Sequence, residues 1–231
     1  MEKKYKLTDE TIGFEGKTLY RIEALKDFGE IKKGDKGGFV ESENNLAHEG
    51  DAWVSNDACV YDNACVYGNA SVFGCACVYD NAWVSGNGQV YGNAHVSGDA
   101  CVSDNARVCG HARVSGNASV CGNARVYNHA CVHGDARVYG DALVRGDACV
   151  CGDAEISNKQ DYIVFQNWWS SGRYFTWTRS NNMWSVGCFY GTGEELIKKA
   201  YQDSKKSGLE YERIVHYVED VLKSENNGKE I

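Results

Sequence analysis

Residues 51–68 read Asp51-Ala52-Trp53-Val54-Ser55-Asn56, Asp57-Ala58-Cys59-Val60-Tyr61-Asp62 and Asn63-Ala64-Cys65-Val66-Tyr67-Gly68. The same pattern, close to Asn/Asp-Ala-x-Val-x-Gly, runs through eighteen consecutive hexads to Asp153-Ala154-Glu155-Ile156-Ser157-Asn158 without insertion or deletion. Ala stands second in every hexad but one, where Gly88 replaces it, and Val stands fourth in every hexad but one, where Ile156 does. Two residues apart, Ala and Val share one face of a short strand, while the residues beside Val point to the other face. Gly, Asn and Asp meet at each boundary and tolerate the left-handed backbone of a tight turn. No hexad can bury its Val and Ala alone, so the units must stack into a solenoid.

This pattern resembles the hexapeptide-repeat family, with Val54, Val60 and Val66 at the family's inward aliphatic position and Ala52, Ala58 and Ala64 at its small one. The resemblance implies a left-handed parallel β-helix with three hexads per coil, so eighteen hexads give about six coils. At about 4.8 Å between strands the prism is roughly 29 Å tall.

The flanks break the period. Residues 1–50 carry strand-like runs, Tyr5-Lys6-Leu7 and Thr18 to Ile22, around a Glu15-Gly16-Lys17 turn, then Gly34-Asp35-Lys36-Gly37-Gly38, which reads as a tight loop. Val40 and Leu46 keep a six-residue spacing but fall out of phase with Val54, which makes the segment an N-terminal β cap over the open edge of the first coil. Residues 159–231 read as a small C-terminal α+β domain. Three strands (162–165, 173–178 and 183–189) precede two helices, opened by Thr192 with Glu195 and by Ser207 with Glu210 in capping boxes. Tyr211, Ile214, Val215, Val218 and Leu222 form one stripe on the second helix. The chain is thus mainly β, with domains 1–50, 51–158 and 159–231.

Composition narrows the function. The 231 residues include 26 Gly and no Pro, as expected where turns are made by Gly, Asn and Asp. Ten of the eleven Cys lie in the array without the spacing of a disulfide-stapled domain, which points to free thiols and a cytoplasmic location. A net charge of −8 argues against direct nucleic-acid binding, and no apolar run is long enough for a membrane span. No Lys or Arg occurs between Lys36 and Arg107, a stretch holding nine acidic residues. Among these Asp51, Asp57, Asp62 and Asp80 make a candidate acidic face toward a basic partner.

Residues eighteen apart superpose in columns, which brings candidate sites together. Cys131 and His133 flank Val132, and Cys149 and Cys151 flank Val150 one coil later, four soft donors in a rectangle of about 5 by 7 Å that suit a metal. His111 and His129 stack at a turn. In the tail, Trp168, Trp169, Arg173, Tyr174, Trp177, Arg179 and Trp184 lie within seventeen residues and form a candidate ligand- or partner-binding cluster, although alternation along the strand assigns part of the set to the core.

Many hexapeptide-repeat proteins are coenzyme-A-dependent acyltransferases with a catalytic His, which makes His95, His111, His129 and His133 candidate bases by resemblance. The uninterrupted array departs from those enzymes, whose coils carry extruded loops. The family's zinc carbonic anhydrases carry an H-x4-H pair, and the H-x3-H spacing of His129 and His133 departs from it. The whole arrangement looks most like phage and prophage hexad proteins. The resulting expectation is a non-catalytic binding protein without a cofactor. It would form a dimer or trimer through its faces and act on a host protein or a small anionic ligand, with counter-defence inhibition as one form. An acyltransferase and a virion spacer are the alternatives.

Overall fold

The computed structural model describes residues 2–227, so residue 1 of the head and residues 228–231 of the tail lie outside the described residues. The array folds as a parallel β-solenoid. Most of its strands are two residues long, a residue pair such as Cys59–Val60 or Cys77–Val78, and each stacks in register on the residues eighteen positions away, as in Cys59↔Cys77 and Val60↔Val78. Three parallel stacks result, and the inward Ala and Val of the hexads, with Ile156 in the last, are buried in one continuous core. The amides of the outward strand residues donate to carbonyls one coil ahead, as in Cys59 N–H to Ala76 O at 2.9 Å and His133 N–H to Val150 O at 2.9 Å, while many of the inward Ala amides close the local turn, as in Ala58 N–H to Ser55 O at 3.3 Å.

Side-chain ladders reinforce the corners. Asn69, Asn87, Asn105 and Asn123 each donate through Nδ2 to the Oδ1 of the next member, and the series ends on the Asp141 carboxylate. A second corner runs from Asn63 through Asn81 to Asp99, then restarts with Asn117 to Asp135. Asn both donates and accepts, whereas Asp only accepts, so each ladder closes where a carboxylate stands. At the third corner the rings of His111 and His129 stack at 5.1 Å.

Stacking begins earlier than residue 51. The head forms an antiparallel hairpin, β1 (Tyr5–Phe14) and β2 (Lys17–Ala24), turning through Glu15 and Gly16, both at positive φ. Strand β3 (Lys36–Val40) then pairs with β2 and runs parallel to the first coil, placing Val40 beside Val60, while Leu46 bridges Val66. The separation is twenty residues instead of eighteen because two extra residues sit between Leu46 and Ala52, which is why these side chains read as out of phase. The solenoid therefore has about seven turns, the first built partly by the head. Gly37 and Gly38 belong to β3 and not to a loop. A Cβ on Gly38 would stand 2.6 Å from Ala58 O, so glycine here permits close backbone approach.

In the tail, β4 (Tyr162–Gln166), β5 (Tyr174–Thr178), β6 (Met183–Val186) and β7 (Phe189–Gly191) form an antiparallel sheet in sequential order. Four strands replace the expected three because Gly187, at positive φ, turns 183–189 into a hairpin. Helix α1 (Gly193–Asp203) starts with the expected capping box of Thr192 and Glu195. Helix α2 (Lys205–Asn227) starts before Ser207. The Ser204 hydroxyl accepts the Ser207 N–H, so the cap lies three residues upstream of the expected one. Phe175, Trp177, Trp184, Leu196, Tyr211, Val215 and Val218 build the core between sheet and helices. Among the described residues no helix is long and apolar enough to cross a membrane.

Candidate functional site

The solenoid face formed by the strands ending in Val60, Val78, Val96, Val114, Val132 and Val150 is covered at both ends by the two irregular segments. At the N-terminal end Ile12, Phe14 and Leu19 of the hairpin pack with Phe39 on Cys59, Tyr61 and Cys77. Tyr61 stacks on Tyr79 at 5.2 Å and donates its hydroxyl to Glu15 at 3.1 Å. At the other end the tail sheet meets the last coil. The Thr176 hydroxyl accepts the Cys149 N–H at 2.8 Å, and Asn181 donates to Asp153 and Tyr190 at 2.9 and 3.0 Å.

Between these covers lies a groove of about 360 Å³ lined by Tyr79, His95, Ser97, Arg113, Val114 and Ser115. Strand stacking puts His95 and Arg113 side by side in one outward column, with Ser97 and Ser115 in the next. Burial and then the Arg113 charge lower the His95 pKa, against a weaker pull from Glu15, so its imidazole is neutral near pH 7. Among the described residues Arg113 is exposed and forms no ion pair. The floor thus offers a guanidinium, hydroxyl groups and a tyrosine ring.

Farther along the same face, the donor atoms of His133, Cys149 and Cys151 lie within 4.8 Å of one another. His133 Nε2 is 3.4 Å from Cys149 Sγ. The Cys149 thiol is held well below its ordinary pKa by the neighbouring Cys151 first, and by His133 and Ser185, against its burial, while the Cys151 pKa is pushed up and that of His133 is raised by its thiol partner. Of the four soft donors expected from the sequence, Cys131 stands apart. It pairs with Cys149 in the strand register but turns its Sγ toward His129 O at 3.8 Å. Thr176 and Ser185 were not legible as neighbours of these thiols, because the register of the tail sheet against the last coil leaves no mark in the sequence.

The tail cluster divides. Trp169, Trp177 and Trp184 are buried in the core, whereas Trp168 is 78% exposed and Tyr174 lies at the surface. Arg179 pairs with Glu225 at 2.7 Å. Arg173 lines a cavity of about 520 Å³ between sheet and helices, and Tyr174 lines a different one of about 660 Å³ beside Leu143, Arg145 and Tyr162. The seven residues therefore do not converge on one ligand. The acidic residues divide likewise. Lys17 pairs with Asp62 at 2.6 Å and Arg21 approaches Asp57 at 3.9 Å. Asp80 sits at φ 57 and accepts the Gly98 N–H at 2.9 Å. Asp51, exposed at the start of the array, adds its charge beside Lys4.

Residues 100–121 match the family described as YdcK beta solenoid repeat, over little more than one coil. A search of curated proteins found no match. Together with the stacked hexads, the family match makes the central region a hexapeptide-repeat-like parallel β-solenoid.

Proposed function

We propose that the protein is a non-catalytic binding protein of the phage and prophage hexad type, and that it holds an anionic group in the groove around Arg113. The bound group belongs to a small ligand or to an acidic segment of a host protein, and occupying that protein is how a counter-defence inhibitor would act. The observation that carries this reading is the coverage of one face from both ends, with Arg113 lining the groove between the hairpin and the tail sheet and, among the described residues, forming no ion pair there. A planar guanidinium flanked by Ser97 and Ser115 suits a carboxylate or phosphate, which takes paired hydrogen bonds. Copies of the chain would associate in this reading through the face that exposes Tyr67, Trp83 and Tyr139, since exposed aromatic rings favour interfaces.

The test is titration of the full chain at low salt with a fluorescent hexaglutamate peptide and, separately, with inorganic phosphate. Arg113→Ala is expected to weaken binding about tenfold or more, the value of a charge-assisted hydrogen bond, while Arg125→Ala on a neighbouring face leaves it unchanged. Equal binding by Arg113→Ala and the parent protein would overturn the reading.

A further inference from the structure

We propose that His133, Cys149 and Cys151 form a binding site for a soft divalent cation, zinc by its donor chemistry, in the seam between the last coil and the tail sheet. Two thiols and one imidazole are the donor types that select zinc over magnesium or calcium, which favour oxygen. The spacing fits as well. Zinc bonds of about 2.3 Å to sulfur and 2.0–2.1 Å to nitrogen, at a tetrahedral angle, put the two donor atoms about 3.5 Å apart. His133 Nε2 and Cys149 Sγ stand at 3.4 Å, and all three donors lie within 4.8 Å of one another.

The strand lattice places these donors before any ion arrives. Cys149 and Cys151 flank the inward Val150 and so point to the same outward side, while His133 reaches up from the coil below, whose backbone is fixed by its N–H bond to Val150 O at 2.9 Å. The tail supplies the surroundings. Thr176 anchors the Cys149 amide, and the buried Ser185 stands near enough to both thiols to favour their ionised forms. Such outer partners orient ligands and raise affinity. His133 is exposed, so the fourth position opens toward solvent and is taken by water. Cys131 faces the His129 carbonyl and is not a ligand. On binding, the two thiols and His133 Nε2 give up to solvent whatever protons they hold, and no electrons are transferred.

The experiment uses the reduced full-length protein, stripped with a chelator and titrated with cobalt(II) and then zinc(II). One cobalt per chain is expected, with a thiolate-to-metal charge-transfer band and the intense visible bands of a tetrahedral ion, both lost when zinc displaces it. His133→Ala and Cys149→Ser should abolish the bands, Cys131→Ser should leave them, and Ser185→Ala should weaken zinc affinity about tenfold. His133 is exposed, so its variant tests the site even if Cys149→Ser folds poorly. The proposal is overturned if the parent protein gives only the weak bands of octahedral cobalt, if the bands survive His133→Ala, or if Cys131→Ser removes them.

Discussion

Lys4 is the clearest case in which burial of one charge should control stability. Its side chain is 1% exposed at the open N-terminal end of the prism, donates to Ala52 O at 2.8 Å and Gly50 O at 3.2 Å, and lies 5.0 Å above the Phe28 ring. Burial lowers its pKa from 10.5 to about 8, against the pull of Asp51 and Glu49. Below pH 8 the amine is protonated in both folded and unfolded chains, and the folded state bears the full cost of the buried charge. Between about pH 8 and 10.5 the unfolded chain holds a proton that the folded one has released, so this group makes stability rise with pH across that window. The interval from about 8 to 10.5, at 1.36 kcal/mol per pH unit, corresponds to about 3 kcal/mol, of which about 2 is gained by pH 9.5. Neutral Lys4 still donates to the two carbonyls, so its contacts survive the loss of charge. Urea unfolding of the parent and of Lys4→Met at half-unit steps from pH 7 to 10 isolates the effect, because the Cys and Tyr titrations are common to both. The parent should gain on the variant by up to about 1 M in midpoint by pH 9.5. Parallel profiles across the window would refute the reasoning.

Three further outcomes follow from the corners and caps. Asn105→Ala removes one donated and one accepted ladder bond and should cost about 1–2 kcal/mol in urea unfolding, while Asp141→Asn at the ladder's end should change stability by less than about 0.5 kcal/mol. Gly116 has φ 68, and a Cβ there would stand 2.9 Å from Gly134 N. Gly116→Asp should nonetheless cost less than Gly116→Ala, because Asp80 and Asp104 hold equivalent corners at φ 57 and accept the amide one coil ahead. The same urea assay ranks the two, and a reversed order would count against the corner argument. Thr192→Ala should lose about 1 kcal/mol and raise amide exchange in the first turn of α1 as measured by hydrogen exchange.

The hexads were fully legible because each position has one physical role: Val and Ala inside, Gly, Asn or Asp where φ turns positive. What the sequence hid has identifiable causes. The head's share of the first coil was masked by two inserted residues before Ala52, which change the separation of Val40 and Val60 to twenty. The fourth tail strand was hidden because Gly187 lies inside an apolar run that scans as one strand. The thiol and imidazole columns were legible from the period, but which of four donors converge depends on side-chain torsions. Cys131 turns toward a carbonyl and His133 crosses to Cys149, a diagonal that no pattern of residue types encodes. Proximity in sequence misled in the tail, where alternation along β5 sends Phe175 and Trp177 into the core and leaves Tyr174 outside.

The two ends of the solenoid are chemically unlike, and this fixes what each flank must be. Since the bonds between coils all run from an amide to the carbonyl one coil ahead, the first coil presents carbonyls and the last presents N–H groups. The head answers with donors. Lys4 serves Ala52 O, Asn45 Nδ2 serves Asp62 O and Ala64 O, and Tyr5 serves Leu46 O. The tail answers with acceptors. Thr176 takes the Cys149 N–H, Ser180 the Glu155 N–H and Asp161 the Ser157 N–H. Both ends are therefore satisfied whatever the number of hexads between them, and only the angle between head and tail depends on that number. Deleting one hexad, residues 87–92, should keep every inward Val over another Val and preserve both caps, yet rotate the tail by one face relative to the hairpin. Unfolding by urea should stay cooperative with a loss of a few kcal/mol at most, while anion binding by the Arg113 groove disappears, because its two covers no longer share a face. Deleting a whole coil, residues 87–104, restores the shared face and serves as the control for fold. If the single-hexad deletion binds hexaglutamate as well as the parent, the groove does not depend on both covers, and recognition lies elsewhere on the prism.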